Sequence, residues 1–228
     1  MTPTLSVVVP ALDEAPRVGP LLRALDADLG PGDEVLLVDG GSRDGTADRA
    51  RALGLPRVRV LEAPRGRARQ MNAGAAAARG DWLVFLHADG GLPRAALGAV
   101  RAAAEEWGYF ALRLDAPGLA FRAVEAGINL RSRAFDTPSG DQALFVQRAT
   151  FEALGGYPDV PLMEDLLLVD ALRARGAPSR PAVRVTTSAR RWRARGVART
   201  VARMWALRAA FRLGAAPARL AARYPPSR

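Results

Sequence analysis

The sequence predicts an α/β fold with a mostly parallel central sheet, and two patterns in its first hundred residues predict it. Short apolar runs alternate with segments of helical periodicity, at the spacing of βαβ units. The apolar runs are continuous, as in LSVVVP at 5–10, which is typical of strands that are buried on both faces. These runs should therefore lie side by side in one sheet.

The individual elements follow from the same patterns and from their stop signals. In the first half we predict strands at 5–10, 34–40, 58–63 and 82–89, and helices after the first strand and at 44–54, 66–80 and 92–107. Glycines end the second and third helices. In the less regular second half we predict strands at 109–114, 142–147 and 182–188, and helices at 118–134, 163–175 and 196–212.

Composition bounds the class of protein. The 228 residues fit one domain, and with 49% hydrophobic residues a sizeable core can be buried. The absence of cysteine excludes disulfides, zinc–thiolate sites and cysteine nucleophiles. No apolar stretch approaches the roughly 20 residues that span a bilayer, and the start MTPTLSVVVPALDE lacks the features of a signal peptide. We therefore expect a cytoplasmic protein.

The formal charge of +10 invites a nucleic-acid interpretation, but the pattern of basic residues argues against it. Apart from the single histidine, every basic residue is an arginine, and alanine is abundant, which suits a bias in base composition. The arginines are spread along the chain with few aromatic residues between them, unlike a surface that stacks RNA bases. We expect no nucleic-acid partner, whereas an anionic ligand such as a diphosphate or a lipid head group fits.

Acidic residues mark the ends of three predicted strands. They lie in PALDE at 10–14, in DGGSRDG at 39–45 and in HAD at 87–89. Ligands of parallel α/β sheets lie beyond the carboxyl ends of the strands, so these segments should meet at one edge. A single acidic strand end is often a helix cap or an Asx turn, and this alternative stays open for each of them. The three together predict a binding edge.

The segment VDGGSRDGT indicates which ligand this edge would bind. It is not the dinucleotide fingerprint, whose glycines lie in the turn that opens the helix, because here Asp39 ends the strand and the glycines follow it. A carboxylate at that point can accept hydrogen bonds from a base or ribose but would repel a pyrophosphate. We therefore expect a nucleotide whose base lies over the first two strands. Its phosphates would lie toward Asp89, where a divalent cation would offset their charge.

The order of these motifs resembles the family 2 glycosyltransferases, which have the GT-A (nucleotide-diphospho-sugar transferase) fold. The matching stretches are SVVVPALDE, LLVDGGSRDGT, GRARQMNAGAAAARGD, FLHADG in place of the family's D-x-D, GDQALFVQRATFEALGGYPDVPLMEDLLL and SARRW. They cover nearly the whole chain, and their amino-acid sequences most resemble those of a bacterial subfamily associated with arsenosugar biosynthesis. The resemblance implies one glycosyltransferase domain over 1–228, with a nucleotide-binding half (1–107), an acceptor and catalytic half (108–195) and a C-terminal helix and tail (196–228).

The resemblance also implies roles for individual residues. A nucleotide-sugar site would comprise Pro10, Ala11 and Glu14 around the base and ribose, Asp39 as an acceptor from the base, Arg67 and Asn72 facing the nucleotide, His87 and Ala88 beside it, and Arg191 and Trp192 near the diphosphate. Asp89 would bind Mg²⁺ or Mn²⁺ through the diphosphate. Asp165, paired with Glu164, would be the general base for an acceptor hydroxyl. One base and one stabilised leaving group imply direct displacement with inversion of configuration.

Two positions depart from the family pattern. Asp13 replaces the asparagine of P-x-x-N-E, and His87 replaces the first aspartate of D-x-D. Because Mg²⁺ and Mn²⁺ prefer oxygen ligands, we interpret His87 as a contact to ribose or to a neighbour of the metal. A structural role at the end of the strand and direct coordination remain open.

Three further features have two interpretations each. Glu164 and Asp165 could simply favour the dipole of a helix that starts beside them. The basic C-terminal helix, which carries Trp205, could lie on an anionic membrane surface or pack on the domain, and we favour packing. The loop DTPSGD at 136–141 could be a mobile acceptor loop or an ordinary connection.

We therefore predict a metal-dependent hexosyltransferase that uses a nucleotide-diphosphate sugar and an unknown hydroxyl acceptor, with possible peripheral membrane contact through its C-terminal helix. One alternative is a polyprenyl-phosphate glycosyltransferase that acts at the membrane surface. A second is a nucleotidyltransferase, although such enzymes usually have a lysine in the loop after the first strand and PALDEAPRVGP has none. A third is a non-catalytic nucleotide-sugar binding protein.

Overall fold

The computed structural model describes residues 2–223, which form two sheets flanked by helices. The strands are β1 (Leu5–Ala11), β2 (Glu34–Asp39), β3 (Val58–Glu62), β4 (Trp82–Phe85), β5 (Gly90–Gly91), β6 (Trp107–Gly108), β7 (Ala111–Leu114), β8 (Phe145–Gln147) and β9 (Arg184–Thr187). The helices are α1 (Ala15–Asp28), α2 (Thr46–Arg51), α3 (Arg67–Ala77), α4 (Arg94–Arg101), α5 (Leu119–Phe135), α6 (Arg148–Ala153), α7 (Glu164–Arg175), α8 (Arg190–Arg195), α9 (Val197–Arg212) and α10 (Pro217–Ala222), with a 3₁₀ turn at Gly140–Gln142. The tail from Tyr224, part of the predicted C-terminal segment, lies outside the described residues.

The larger sheet confirms the predicted parallel arrangement. Its strand order is β3-β2-β1-β4-β8-β6. Strands β1 to β4 are parallel, and β8 runs antiparallel to both of its neighbours. Ala11 pairs with Asp39 at the carboxyl ends of β1 and β2, so the loops after these two strands leave the sheet side by side.

Helices cover both faces of this sheet, which explains why the strand sequences are continuously apolar. Val9 faces a core that contains Leu22 of α1 and Leu97 of α4. Val8 points the other way, into a second core beneath α3. There α3 approaches β1 so closely that a Cβ on Gly74 would lie 2.4 Å from Val8 Cγ1, so only glycine fits.

A second sheet, of order β5-β9-β7, brings two predicted site segments together. In it β5 is antiparallel and β7 is parallel to β9. Gly90 pairs with Thr187, so Asp89 lies beside the chain that leaves β9 toward Arg190. The short sheet therefore joins the H-x-D segment to the arginine-rich start of α8.

The strand predicted at 82–89 is wrong at its end. It stops at Phe85, because the chain then turns and the Gly90 N–H donates to the His87 carbonyl at 2.9 Å. The H-x-D segment is thus a loop beyond the strand, which leaves its side chains free to face a ligand.

The helix predicted at 92–107 is also too long. It ends at Arg101, since Trp107 pairs with Val146 in the main sheet. Trp107 has the spacing of a helical apolar residue, but it pairs instead with β8, which lies about 40 residues later in the sequence. Helices α8 and α10, of six residues each, were not predicted.

The C-terminal helix α9 packs on the domain along one face. Leu207 is buried, and Val201 and Met204 pack against the larger core. Trp205, one turn after Val201 on the same side of the helix, is 59% exposed. Among residues 2–223, no helix combines the length and apolarity needed to cross a bilayer.

Candidate functional site

Asp39 shapes the loop that follows β2. Its carboxylate accepts hydrogen bonds from the Gly41 N–H at 3.0 Å, the Ser42 N–H at 2.9 Å and the Ser42 hydroxyl at 2.5 Å. A carboxylate has about four acceptor positions, so about one remains for a ligand. The Asx-turn alternative therefore describes Asp39, and a contact to a base would have to use the remaining position.

Gln70 of α3, which sequence reasoning missed, fixes the same edge of the sheet. Its Nε2 donates to the Ala11 carbonyl at 2.8 Å and to the Val38 carbonyl at 2.9 Å. A Cβ on Gly40 would lie 2.9 Å from this side chain, so Gly40 gives the glutamine its room. Ala11 itself is buried, and beside it Pro10 is half-buried at the rim of the edge.

Asp13 joins the loops after β1 and β2. Its φ of 54° is left-handed, which aspartate and asparagine tolerate better than most residues. Its carboxylate accepts from the Arg43 N–H at 2.9 Å, and its own N–H donates to the Ser42 hydroxyl at 2.9 Å. Aspartate can thus replace the family's asparagine here without loss of the loop contact.

Glu14 connects the nucleotide edge with α8. One carboxylate oxygen accepts from Arg190 Nη2 at 3.0 Å and the other from Arg17 Nη1 at 2.7 Å. The side chain is only 14% exposed. Glu14 therefore has arginines on both oxygens, in addition to its expected place beside the ribose.

Asp89 is half-buried near two other carboxylates, His87 and Arg190. Burial raises its pKa, and the charges of Asp141 and Glu14 raise it further, while His87 and Arg190 act in the opposite direction. A carboxylate that is half-buried among other carboxylates favours any cation that can share the site. The carboxylates of Asp89, Asp141 and Glu14 would therefore attract a divalent ion to the predicted position.

The residues around Asp89 fit a cation that is held mainly by its substrate. Among residues 2–223, no group of three or more histidine, aspartate or glutamate side chains is arranged to hold a metal. Mg²⁺ and related ions are commonly bound through one or two carboxylates plus substrate phosphates and water. Asp89 can supply the single protein ligand of such a site.

Both ring nitrogens of His87 have protein neighbours. Nδ1 lies 3.0 Å from Asp141 Oδ1, and Nε2 lies 3.5 Å from Arg67 Nη1. Because a carboxylate only accepts hydrogen bonds, Nδ1 is the nitrogen that donates to Asp141, and Nε2 faces the guanidinium. This arrangement leaves no nitrogen for a metal and favours the role of His87 as a neighbour of the metal-binding residue. Ala88, between His87 and Asp89, is buried in the larger core.

Asp141 is the second acidic residue of this cluster, and sequence reasoning assigned it no role. Burial alone would raise its pKa, but the hydrogen bond and charge of His87, together with Arg191 and Arg67, hold the pKa below its usual range. Asp141 thus stays ionised beside His87 and Asp89. Its motif, GDQA, matched the family, and this match was the signal that could have found it.

Glu164 is a buried partner of Arg67. Only 1% of the residue is exposed, and its Oε1 lies 2.5 Å from Arg67 Nε. Among the described residues Oε1 has no hydrogen-bond partner, so its contact with Arg67 is an ion pair. Burial and the neighbouring Asp165 raise the pKa of Glu164, against the charge of Arg67. Glu164 is therefore placed to hold the Arg67 guanidinium, which lies 3.5 Å from His87 Nε2.

Asp165 is the more accessible member of the acidic pair. It follows Met163, whose left-handed φ of 69° turns the chain sharply into α7. One oxygen accepts from the Leu166 N–H at 2.9 Å and the other from the Gly140 N–H at 2.9 Å. The carboxylate is thus fixed in orientation but remains half-exposed, as a group that meets a ligand must be.

Two small clefts meet at this cluster. One, of about 40 Å³, is lined by His87, Asp89, Arg190 and Arg191 among others. The second, of about 80 Å³, also contains Arg191 and extends to Asp165. The predicted donor-side and acceptor-side groups therefore face adjoining spaces, with Arg191 and Asp141 common to both. Trp192 is buried, packs in the larger core and lines the first cleft.

Asn72 does not take the place expected for it. Its Nδ2 donates to the Tyr157 carbonyl at 2.8 Å, and its Oδ1 accepts from the Tyr157 N–H at 2.9 Å. The residue before, Gly156, has a left-handed φ of 76° and would bring a Cβ to 2.8 Å from Asn72 Oδ1. Asn72 is therefore a clip for the turn before α7, and the expectation that it faces the nucleotide is corrected.

The sequence matches a known family over slightly more than half of its length. Residues 6–123 match the family model described as glycosyl transferase family 2. A comparison with curated protein sequences found no significant match.

Several solved structures have a similar fold. They include S. aureus TarS in complex with UDP (17% identity, TM-score 0.67, 81% of this chain and 60% of that chain), the mannosyltransferase PcManGT from Pyrobaculum calidifontis in complex with GDP-Man and Mn²⁺ (25%, 0.67, 92% and 61%), and glucosyl-3-phosphoglycerate synthase from Mycobacterium tuberculosis in complex with Mn²⁺, UDP and phosphoglyceric acid (21%, 0.58, 82% and 69%). This chain spans about three fifths of the length of the first two. These likenesses confirm the predicted GT-A fold.

Proposed function

The chain belongs to the family 2 glycosyltransferases, and we propose that it transfers a sugar from a nucleoside-diphosphate sugar to an acceptor hydroxyl. One observation carries the proposal: Asp89 and Asp165 line adjoining clefts that share Asp141 and Arg191. The similar mannosyltransferase that was solved with GDP-Man and Mn²⁺ supports this use of the edge. The motif wording supports a place in the subfamily associated with arsenosugar biosynthesis, and the order of the motifs supports one domain over 1–228 with the halves given above.

The donor would bind along the edge formed by β1, β2 and the H-x-D loop. The base would lie near Pro10 and Asp39, and the diphosphate would reach Asp89 and Arg191. A divalent cation, Mg²⁺ or Mn²⁺, would there neutralise the charge that develops on the leaving diphosphate. Arg191 adds a fixed positive charge on the same side, and Arg67 stays near it because Glu164 is its buried counter-ion.

In the proposed step the acceptor oxygen bonds to the anomeric carbon while the bond from that carbon to the diphosphate oxygen breaks. The acceptor proton passes to Asp165, and the electron pair leaves with the diphosphate. A single displacement of this kind inverts the anomeric configuration. Asp165 is held ready for it by the Gly140 N–H. Glu164, which is buried against Arg67, acts here as a positioning residue, whereas the sequence had placed it beside Asp165 as a catalytic one.

Thermal unfolding with a panel of nucleotides tests the proposal. UDP, GDP and their sugars would each be added with Mn²⁺, Mg²⁺ or EDTA. A ligand at ~100 times its dissociation constant stabilises the fold by roughly 2.7 kcal/mol, and for a chain of this size that raises Tm by roughly 5–10 °C. We expect a metal-dependent rise with one base, and we expect it to vanish in Asp89→Asn.

The matched control is Asp48→Asn, which changes an exposed aspartate on α2. It should retain the full metal-dependent rise. If no nucleotide raises Tm with either ion, the donor half of the proposal is wrong. Binding without any release of nucleoside diphosphate would instead favour a non-catalytic binding protein.

A further inference from the structure

An apolar groove of about 380 Å³ runs between α5 and α9. Small residues of α5, among them Ala123 and Gly127, form one wall, and Val201 and Met204 of α9 form part of the other. Its volume is within the range of small-molecule sites, which are mostly apolar with a few polar groups. The groove is much larger than either cleft at the proposed donor site.

The groove opens onto the space that contains the proposed base. Ser139, Met204 and Arg208 line both the groove and the cleft that contains Asp165. A molecule that lies in the groove can therefore extend one end toward the Asp165 carboxylate. The groove and the cleft therefore adjoin at these three side chains.

Two arginines stand at this inner end. Within residues 2–223 neither Arg131 nor Arg208 forms an ion pair with a carboxylate, although Arg131 donates to the Thr137 carbonyl, to the Thr137 hydroxyl at 3.1 Å and to the Ser132 hydroxyl at 3.2 Å. Burial and the charge of Arg208 lower the pKa of Arg131 to about 10. Burial also lowers the pKa of Arg208, against the attraction of Asp165. Asp165 already attracts both arginines and Asp141 attracts Arg208, but burial outweighs this attraction, so an anionic group in the groove would stabilise both charges further.

The wall of the groove also contains a solvent-exposed tryptophan, Trp205. Trp205 is 59% exposed, although it lines an apolar surface. Exposed apolar patches with a polar boundary commonly mark ligand sites, and tryptophan contributes large contact area where a ligand covers it. Charge at one end and apolar surface along the rest are the complement of an amphiphile.

We propose that the groove binds the acceptor, a single amphiphilic molecule whose apolar chain lies between α5 and α9 and whose anionic head group contacts Arg131 and Arg208. The reacting oxygen would then face Asp165. The inference rests on the proposed transferase function, because it names the acceptor class for that site. The arginines select against a neutral apolar chain, and the groove selects against a free phosphate.

Binding of a simple amphiphile tests this directly. Dodecyl phosphate, kept below its micelle concentration, would be titrated into the full chain by calorimetry, beside inorganic phosphate and the neutral dodecyl maltoside. We expect saturable binding of one dodecyl phosphate per chain. Inorganic phosphate and dodecyl maltoside should each bind at least about tenfold more weakly, since each lacks one of the two contacts.

A pair of glycine variants separates the groove from the rest of the surface. A Cβ on Gly127 meets nothing within 4 Å, so Gly127→Leu fills the groove without a clash in α5. Gly98 of α4 is equally open and lies away from the groove, so Gly98→Leu is the matched control. Gly127→Leu should weaken dodecyl phosphate at least about tenfold, whereas Gly98→Leu should not.

A pair of arginine variants tests the head-group contact. Arg208→Gln should weaken dodecyl phosphate but leave the weak binding of dodecyl maltoside unchanged. Arg199→Gln, on an exposed face of the same helix, makes the same change in charge and should alter neither. Equal losses in both variants would mean a general charge effect, which contradicts the assigned contact.

Three results would overturn the inference. They are equal binding of dodecyl phosphate by the Gly127→Leu and native chains, binding to phosphatidylglycerol vesicles without binding of the monomeric amphiphile, and a change of oligomeric state as the only effect of Gly127→Leu. The nucleotide-dependent rise in Tm reports the donor site alone. A rise without amphiphile binding would therefore refute only this inference, and amphiphile binding without a rise would refute the proposed function.

Discussion

Replacing Asp165 by asparagine should stop sugar transfer while the donor still binds. Asparagine keeps the shape of the side chain but cannot accept the acceptor proton at neutral pH. General-base catalysis typically contributes 10²–10⁴-fold in rate, so we expect a fall of that order. The affinity for nucleotide and metal should stay within a few-fold of the native value, because Asp165 lies on the acceptor side of the clefts.

The structure also gives the stability cost of this change. Each carboxylate oxygen of Asp165 accepts a backbone N–H at 2.9 Å, from Leu166 and from Gly140. An asparagine has one oxygen, so one of these donors would face an NH₂ group. A donor left without its partner costs about 1–3 kcal/mol when buried, and we take the lower half of that range because the site is half-exposed. Tm should then fall by roughly 2–8 °C.

The assay is the release of nucleoside diphosphate from the donor that gives the metal-dependent rise in Tm. Asp170→Asn, on the same helix, removes a surface ion pair with Arg212 and serves as the control. It should lose at most about 1 kcal/mol and keep the native rate. A rate for Asp165→Asn within about threefold of the native rate would contradict the role of general base. Loss of donor affinity in this variant would show that Asp165 belongs to the donor site.

The remaining predictions concern metal affinity at Asp89, the hydrogen bonds of Asn72 and the stability at acid pH. Asp141→Asn should weaken the affinity for Mn²⁺ with nucleotide by roughly 10–100-fold, since it removes an outer partner of the Asp89 site; calorimetry with EDTA-treated protein measures this. Asn72→Ala should lower the free energy of unfolding in urea by about 1–3 kcal/mol and leave nucleotide affinity unchanged. Glu34 is buried, which alone would raise its pKa, but hydrogen bonds from Arg59, Arg79 and Ser6 lower the pKa below the usual 4.5. Its contribution to stability is therefore present above pH 4.5 and lost as the pH falls through the lower folded value, so Glu34→Gln should flatten the acid side of the stability profile.

The strands could be predicted from the sequence because burial on both faces imposes a local pattern. Val7, Val8 and Val9 are all fully buried, so a continuous apolar run was sufficient. The strand edge followed as well, because the carboxyl ends of parallel strands must meet. Trp107 shows the limit: its spacing continues a helix, but pairing with Val146 places it in the sheet. The local sequence pattern does not show that pairing in the sheet is preferred over continuation of the helix.

The candidate site could be predicted only where its residues carry a local signal. Asp89 and Asp165 each follow a recognisable motif, and the structure places both in adjoining clefts. Asn72 also follows a motif, but its partner is the main chain of Tyr157, 85 positions away. Arg208 lies on α9, whose sequence pattern is typical of a helix with a solvent-exposed basic face. Contacts across such separations depend on packing, which the sequence order does not reveal.

Asp141 explains how His87 can stand at the position of the first aspartate of D-x-D. The negative charge missing from position 87 is supplied by the 3₁₀ turn at Gly140–Gln142, whose Asp141 lies 3.0 Å from the imidazole. The residue before it, Gly140, donates its N–H to Asp165, and a Cβ there would lie 3.0 Å from His87 Nε2. One turn thus fixes the histidine on the metal side and the carboxylate on the acceptor side. The loop DTPSGD is therefore more than a connection, because a shift of its last two residues would displace both ends of the proposed reaction together.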